Sequence, residues 1–190
     1  MRAFLALDIT EAGLIKNFNL LQQEILATGA DVKVVEPENL HFTLKFFGEI
    51  PEKMAQEIYG SIVDLKTKPI EVRFEGLGCF PSLSRISVIW VGVDSVSSTS
   101  LKNLAGDIEA RLRQFNFKDE RGFSPHLTIA RVKSGRNKEN LQDFIKKNEG
   151  SVFGTDVLTS VKLKKSELTP RGPIYTDIYL VPFTEETSPA

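Results

Sequence analysis

Apolar residues along the chain follow two different spacings, which predicts a fold that mixes helices and strands. Four stretches carry apolar residues at helical spacing, and they lie at about 11–28, 51–65, 100–115 and 138–148. Short apolar runs typical of strands occupy the segments between them. These runs cover residues 2–9, 32–35, 40–48, 70–80, 86–93, 124–132, 156–168 and 174–183. The sequence therefore predicts an α+β fold.

The order of these elements occurs twice along the chain. A strand with a histidine, a helix, a long strand, a turn with proline and a final strand fill residues 40–94 and again 124–183. No segment between the two units resembles a linker. We expect one domain over 1–190 that is bilobal, with two pseudo-symmetric αβ lobes and mostly antiparallel sheets around a central cleft. Residues 184–190 are expected to be frayed.

Composition and charge limit the classes of function. The chain has 24 basic and 25 acidic residues and a formal net charge of −1, whereas proteins that grip long nucleic acids by the backbone are usually basic. Any nucleic-acid contact should therefore be small, such as a chain end. One cysteine allows no intramolecular disulfide, and no apolar stretch approaches the length of a membrane span. A cytoplasmic protein without a membrane partner is expected.

Both histidines of the chain lie in the same tetrapeptide, His-apolar-Thr-apolar. Side chains at i and i+2 of a strand point to one face, so His41 should lie beside Thr43, and His126 beside Thr128. The alternate residues should face the core; they are Phe42, Leu44, Leu127 and Ile129. If the two lobes are related by an approximate two-fold axis, both pairs can converge on one cleft.

Two imidazoles and two hydroxyls suit displacement at phosphorus. One neutral histidine can accept a proton from water while one protonated histidine donates a proton to the leaving oxygen. The hydroxyls of Thr43 and Thr128 can donate hydrogen bonds to the non-bridging phosphate oxygens. This scheme requires no metal and no other cofactor.

Other interpretations of the histidines exist. A single histidine in a strand is more often structural or exposed than catalytic, but the repetition of the tetrapeptide argues against chance. Two histidines could bind zinc with added carboxylates, although zinc usually takes three or four protein ligands. The patterns HExxH, CxxC and GxSxG are absent, as are the Walker and dinucleotide-binding glycine patterns.

Five stretches of the chain resemble the two-histidine phosphoesterase superfamily, and within it the RNA 2′,3′-cyclic phosphodiesterases, historically called 2′–5′ RNA ligases. They are MRAFLALDI, ENLHFTLKFFGEI, GLGCFPSLSRISVIWVGV, SPHLTIARVK and LKKSELTPRGPIY. The resemblance implies metal-free hydrolysis of an RNA-terminal cyclic phosphate to a 2′-phosphomonoester. It implies that His41 is the general acid and His126 the general base, although pseudo-symmetry allows these roles to be exchanged.

The resemblance also implies partners and one further site residue. The substrates would be RNA 3′ ends with a 2′,3′-cyclic phosphate, including tRNA-derived ends, and 2′–5′ RNA ligation would be a side or reverse activity. A small cyclic nucleotide as substrate, or a binder of RNA ends without catalysis, are the alternatives. The protein is expected to be a monomer. Arg131 would hold the phosphate, although strict alternation places Arg131 opposite His126 unless the strand twists or bulges.

Three more side chains are candidates near the phosphate or the terminal base. By alternation, Lys45 and Phe47 share the face of His41, and Phe80 stands at a strand end. An aromatic ring there could stack on a base. For both phenylalanines a core position is the favoured interpretation, since the chain has thirteen of them. For Lys45, a solvated lysine at the strand edge is an equal alternative.

Overall fold

Two antiparallel β-sheets and four α-helices make up a computed structural model that describes residues 1–118 and 122–185. The strands are β1 Arg2–Asp8, β2 Val32–Val34, β3 His41–Glu49, β4 Ile70–Ser82, β5 Arg85–Val93, β6 Leu127–Val132, β7 Val152–Leu158, β8 Ser160–Thr169 and β9 Gly172–Pro182. The helices are α1 Ala12–Ala27, α2 Glu52–Ile62, α3 Ser95–Leu112 and α4 Lys138–Lys147. Residues 186–190, most of the segment predicted to be frayed, lie outside the described residues.

One sheet contains β3, which begins at His41, and the other contains β6, which directly follows His126 and starts later than the predicted strand 124–132. These are the two histidine strands. The first sheet has the order β3-β1-β8-β9 and the second has the order β2-β6-β5-β4-β7, with antiparallel neighbours throughout. The predicted α+β class with mostly antiparallel sheets is confirmed. Helix α3 begins five residues earlier than its apolar spacing indicates, because Asp94 accepts a hydrogen bond from the Ser97 amide and caps it there.

The two sheets do not correspond to the sequence units 40–94 and 124–183. Alignment of the two orders matches β3-β1-β8-β9 with β6-β5-β4-β7, so β1 is the counterpart of β5. The first half of the chain contains β1–β4 and the second half contains β5–β9. Each half also contributes a strand to the other sheet: β4 of the first half pairs with β5, and β8 of the second half pairs with β1. The repeat therefore starts at β1 and again at β5. The hairpin β4–β5, which the sequence groups with one unit, joins the two halves.

One predicted strand is two strands in different sheets. The apolar run 156–168 breaks at Thr159, with β7 pairing to β4 in the second sheet and β8 pairing to β1 in the first. No glycine or proline separates Leu158 from Val161, which is why the sequence indicates a single element. The chain thus passes from one sheet to the other within one residue.

Aromatic packing joins the cores of the two sheets. Phe42 of β3 stacks on Phe74 of β4 with ring centroids 5.6 Å apart, and Phe18 of α1 meets Phe74 edge-on at 5.4 Å. All three side chains are buried in one continuous hydrophobic cluster. Such aromatic pairs add to the hydrophobic free energy of burial. The two histidine strands are therefore held by one core.

Both histidine strands carry a β-bulge three residues after the histidine. Along β3, Thr43 pairs with Ala6 and Lys45 with Leu5, which leaves Leu44 as the extra residue. Along β6, Thr128 pairs with Trp90 and Ala130 with Ile89, which leaves Ile129 extra. A bulge inserts one residue and so reverses the faces of the side chains beyond it. The two bulges decide which residues after the threonines face the cleft.

Candidate active site

A cavity of about 380 Å³ between the two sheets is lined by all five residues predicted for the site: His41, Thr43, His126, Thr128 and Arg131. Residues of β3 and β6 approach each other with Cα atoms within 8 Å, so the two His-x-Thr pairs face one space. The volume lies in the range of small-ligand sites. The convergence that two-fold symmetry predicted is confirmed.

Hydrogen bonds fix the orientation of His41. Its Nδ1 lies 2.6 Å from the carbonyl oxygen of Asn39, which can only accept, so Nδ1 carries a proton and donates it. Nε2 then faces the cavity and lies 3.1 Å from Oγ1 of Thr43. The ring also packs against Phe4 and Tyr175, with centroids 5.2 and 5.4 Å away. Only Nε2 is left to exchange a proton with a substrate.

Opposing effects act on the pKa of His41. Burial is the largest effect and lowers the pKa, and the positive charges of Lys164 and Arg131 lower it further. The hydrogen bond to Asn39 and the negative charge of Asp8 raise it. The net result is a pKa below the ordinary histidine value.

Asp8 is held in place by a network of charges. Its carboxylate lies 2.8 Å from Nζ of Lys162 and 3.0 Å from Nζ of Lys164, and both lysines also reach Asp177, at 2.8 and 2.7 Å. Lys164 is almost fully buried. The network thus keeps a fixed carboxylate near one of the two catalytic candidates.

His126 has a different environment. Its Nδ1 lies 2.8 Å from Oγ of Ser124, and its ring packs against Trp90 and Phe80, with centroids 4.0 and 5.0 Å away. Burial lowers the pKa of His126, and the positive charge of Lys102 adds to the decrease. No effect that raises its pKa accompanies these two, in contrast to His41.

Trp90 supports His126 because a glycine lies beneath it. A Cβ atom placed on Gly78 would lie 2.2 Å from Cζ2 of the indole. The indole ring therefore lies directly on the backbone of β4, with the imidazole of His126 against it. The ring holds His126 by contact alone, since the indole nitrogen has no hydrogen-bond partner among the described residues.

The bulges explain which neighbouring residues reach the cavity. Arg131 lines it because Ile129 is the extra residue of β6, so the possibility of a bulge near the strand end is realised. The extra residue Leu44 reverses the predicted faces of the next positions. Phe46 lines the cavity and is 68% exposed, whereas Phe47 is buried. The alternation-based placement of Phe47 was wrong, and its core interpretation is confirmed.

Lys45 and Phe80 also differ from expectation. Lys45 is buried and pairs with Glu109 of α3 at 2.7 Å, so it is neither a cleft residue nor a solvated one. Its bulged strand turns it towards the helix side. Phe80 is 43% exposed and contacts the ring of His126, so its core interpretation was wrong. A strand end beside a cleft leaves one face of this ring uncovered.

Sequence reasoning missed Asn39, Ser124, Trp90 and Tyr175, which contact the two histidine rings. Asn39 and Ser124 each precede a histidine by two positions and contact its Nδ1. A polar residue two before each histidine is a signal that the sequence does contain. Trp90 and Tyr175 come from distant strands, and no local pattern connects them with the histidines.

In the described ranges 1–118 and 122–185, no three His, Cys, Asp or Glu side chains are grouped as a metal site would require. None of the helices in these ranges is long and apolar enough to cross a membrane.

A second cavity of about 590 Å³ lies behind His126 but lacks His41 and both threonines, so the smaller cavity is the candidate site.

Comparisons with known proteins agree with this geometry. Residues 3–181 match the family model of the AKAP7 2′5′ RNA ligase-like domain. The RNA 2′,3′-cyclic phosphodiesterase of Methanothermobacter thermautotrophicus is 40% identical over 94% of this chain and 96% of that protein. The protein of that name from Methanocaldococcus jannaschii is 41% identical over 92% of this chain and 96% of that protein. TT0787 of Thermus thermophilus shares the fold, with TM-score 0.79, 24% identity and coverage of 98% and 100%.

Proposed function

We propose that this chain, which belongs to the two-histidine phosphoesterase family, hydrolyses the 2′,3′-cyclic phosphate at RNA 3′ ends to a 2′-phosphomonoester. The observation that carries the proposal is the single cavity into which both His-Thr pairs open. Relatives at 40 and 41% identity carry the name of this activity. In this proposal the two imidazoles, oriented by Asn39 and Ser124, supply the acid and the base.

The reaction is an in-line displacement at phosphorus. Nε2 of His126 accepts a proton from water, whose oxygen forms a new bond to phosphorus. The bond between phosphorus and the 3′ oxygen breaks, and Nε2 of His41 donates its proton to that oxygen. Thr43 and Thr128 donate hydrogen bonds to the non-bridging oxygens, and Arg131 offsets their charge. The scheme uses no metal ion.

The environments of the two histidines support this division of roles. The hydrogen bond to the Asn39 carbonyl and the negative charge of Asp8 oppose the lowering of the pKa of His41 by burial, and the net pKa stays below the ordinary histidine value. Only lowering effects act on the pKa of His126, which favours a neutral base. Enzymes commonly separate acid from base in this way, by environment.

Phe46 is the side chain best placed to hold the terminal base. Its ring is 68% exposed, lines the cavity and lies 5.8 Å, centroid to centroid, from Phe4. Stacking of a base on an aromatic ring tolerates any sequence and contributes about 1–3 kcal/mol. The exposed ring therefore gives affinity for RNA ends without strict base preference.

The test is hydrolysis of an oligoribonucleotide with a 2′,3′-cyclic end by chelator-treated protein, scanned over pH. We expect a bell-shaped profile of kcat/KM, a loss of activity in both His41→Ala and His126→Ala, and the 2′-phosphate as product. Loss of one general acid or base typically lowers the rate about 10²–10⁴-fold. Thermal unfolding of both variants checks that they fold.

Three results would contradict the proposal in different ways. Activity that returns only with added metal would make the histidines ligands. Tight binding of the RNA end without turnover would indicate a binder of RNA termini. A 3′-phosphate product would show that the 2′ oxygen is the leaving group, which reverses the geometry proposed for His41.

A further inference from the structure

Four cationic side chains line one wall of the catalytic cavity: Lys33 from β2, Arg131 and Lys133 from β6 and the residue after it, and Arg171 from the turn between β8 and β9. Among the described residues that line this cavity, Glu36 is the one acidic side chain. None of the four cations forms an ion pair with a described carboxylate. This cationic wall contrasts with the net charge of −1 of the whole chain.

The register places two of these cations directly against each other. Lys33 and Arg131 are Cα partners in the pairing of β2 with β6. Like charges directly opposite on neighbouring strands destabilise a sheet. A bound anion removes that repulsion, so the arrangement is typical of an anion-binding surface.

The wall also bridges the two sheets. Nζ of Lys33, in the second sheet, donates a hydrogen bond to the backbone oxygen of Arg171 at 3.3 Å, and Arg171 belongs to the first sheet's hairpin. The contact uses the backbone of Arg171 and leaves its guanidinium group available. The cationic wall therefore has a fixed position relative to both His-Thr pairs.

The negative charge of the reacting phosphate is smaller than the positive charge of the cationic wall. A 2′,3′-cyclic phosphate carries one negative charge, and Arg131 already faces it from the bulge of β6. Lys33, Lys133 and Arg171 remain, with only Glu36 to oppose them. The next phosphate along an RNA strand is one nucleotide away on the 5′ side, and it supplies the missing charge.

We propose that Lys33, Lys133 and Arg171 bind the phosphodiester on the 5′ side of the terminal nucleotide, so that the preferred substrate is the end of an RNA strand and not a cyclic mononucleotide. This inference rests on the proposed function, because it places the reacting phosphate at the histidines. It adds a second phosphate site and a minimum substrate of two nucleotides.

The test compares four substrates that share one terminal nucleotide. They are the cyclic mononucleotide with a 5′ hydroxyl, the same with a 5′ phosphate, the dinucleotide NpN with a cyclic end, and that dinucleotide with an uncharged methylphosphonate linkage. We expect kcat/KM of the charged dinucleotide to exceed that of its neutral form by about two- to tenfold, mainly through KM. Its salt dependence should be steeper by about 0.7 in log–log slope per phosphate contact.

Variants test whether the cationic wall causes the difference in kcat/KM between the charged and the neutral dinucleotide. In Lys33→Ala and Arg171→Ala the ratio between the charged and the neutral dinucleotide should fall towards one. Lys146→Ala, an exposed lysine of α4 outside the cavity, is the matched control and should keep the wild-type ratio. The 5′-phosphorylated mononucleotide distinguishes a phosphate alone from a strand: if it equals the dinucleotide, the site recognises small nucleotides and the inference of a strand is wrong.

Failure of this inference is distinguishable from failure of the proposed function. Equal rates for the charged and neutral dinucleotides, or variants that keep the wild-type ratio, would overturn the second phosphate site while cyclic phosphodiesterase activity stands. No turnover of any substrate would contradict the proposed function. Equilibrium binding of the same two dinucleotides, followed by the fluorescence of Trp90, then tests the cationic wall without turnover.

Discussion

Replacing Gly78 by alanine should disable His126 without changing any residue that touches the substrate. The added methyl carbon would lie 2.2 Å from Cζ2 and 2.3 Å from Cη2 of Trp90. From 2.2 Å to the ordinary contact distance of 3.4 Å, the indole must move by 1.2 Å. Its ring centroid already lies only 4.0 Å from that of His126, so the displaced indole moves the imidazole with it.

The expected cost follows from the size of this displacement. Misplacing a reacting group by about 1 Å can lower the rate about 10²-fold. We therefore expect kcat of Gly78→Ala to fall about 10- to 100-fold with a small change in KM. The free energy of unfolding should decrease by about 1–3 kcal/mol, as is usual for overpacking. The protein should remain folded at room temperature.

The assay combines turnover with fluorescence. Trp90 is the one tryptophan of the chain, so intrinsic fluorescence reports on its ring. A protonated imidazole in contact quenches indole fluorescence, and a pH titration of the wild type thus follows His126. The pH dependence of this quenching should weaken in Gly78→Ala, because the two rings no longer keep their contact.

Two control variants test whether the contact between Trp90 and His126 positions the base. The double variant Gly78→Ala with Trp90→Phe should regain part of the lost kcat, since a phenyl ring lacks the two clashing indole carbons. Gly106→Ala in α3 has no atom within 4 Å of the new Cβ and should keep wild-type activity. If Gly78→Ala turns over like the wild type, or if Trp90→Phe does not rescue it, the contact between Trp90 and His126 does not position the base.

Three further predictions follow from contacts around the histidines. Asp8→Asn removes a charge that raises the pKa of His41, so the alkaline limb of the kcat/KM profile should move to lower pH; a stationary limb contradicts the acid role. Phe47→Ala should lower the free energy of unfolding by about 3–5 kcal/mol, but the exposed Phe46→Ala by less than about 1 kcal/mol, as measured with denaturant. Ser124→Ala should lower kcat, and Ser124→Thr should restore it, because a hydroxyl orients Nδ1 of His126.

Local sequence patterns predicted this site as far as the two threonines. The i, i+2 rule placed Thr43 beside His41, and a hydrogen bond now joins them. One residue later the rule fails, because Leu44 and Ile129 are extra residues in their ladders. A bulge depends on the partner strand, and a single strand's sequence does not contain it. Lys45 and Arg131 were therefore uncertain for the same reason.

The order of the strands in the two sheets was harder to predict from the sequence than the helices and strands themselves. The helices and most strands were found, since their apolar spacing is local; the early start of α3 and the division of the run 156–168 into β7 and β8 were not predicted. The exchange of β4 and β8 between the halves was not predicted, because hairpin-like neighbours in sequence suggested a unit that closes on itself. Tyr175 entered the site through that exchange, on a hairpin that extends the first sheet from the far end of the chain.

The exchanged strands set an order of events during synthesis. β1 needs β8 as its neighbour, and Arg2 pairs with Ser166, so the first sheet cannot close until most of the chain has left the ribosome. At about 5–20 residues per second, the first strand waits on the order of ten to thirty seconds. Its partner on the other side, β3, is available much earlier and carries His41. The nascent chain must therefore keep an apolar, half-paired edge from aggregating until residues near the C-terminus arrive, which makes translation speed and chaperone access part of how this catalyst is made.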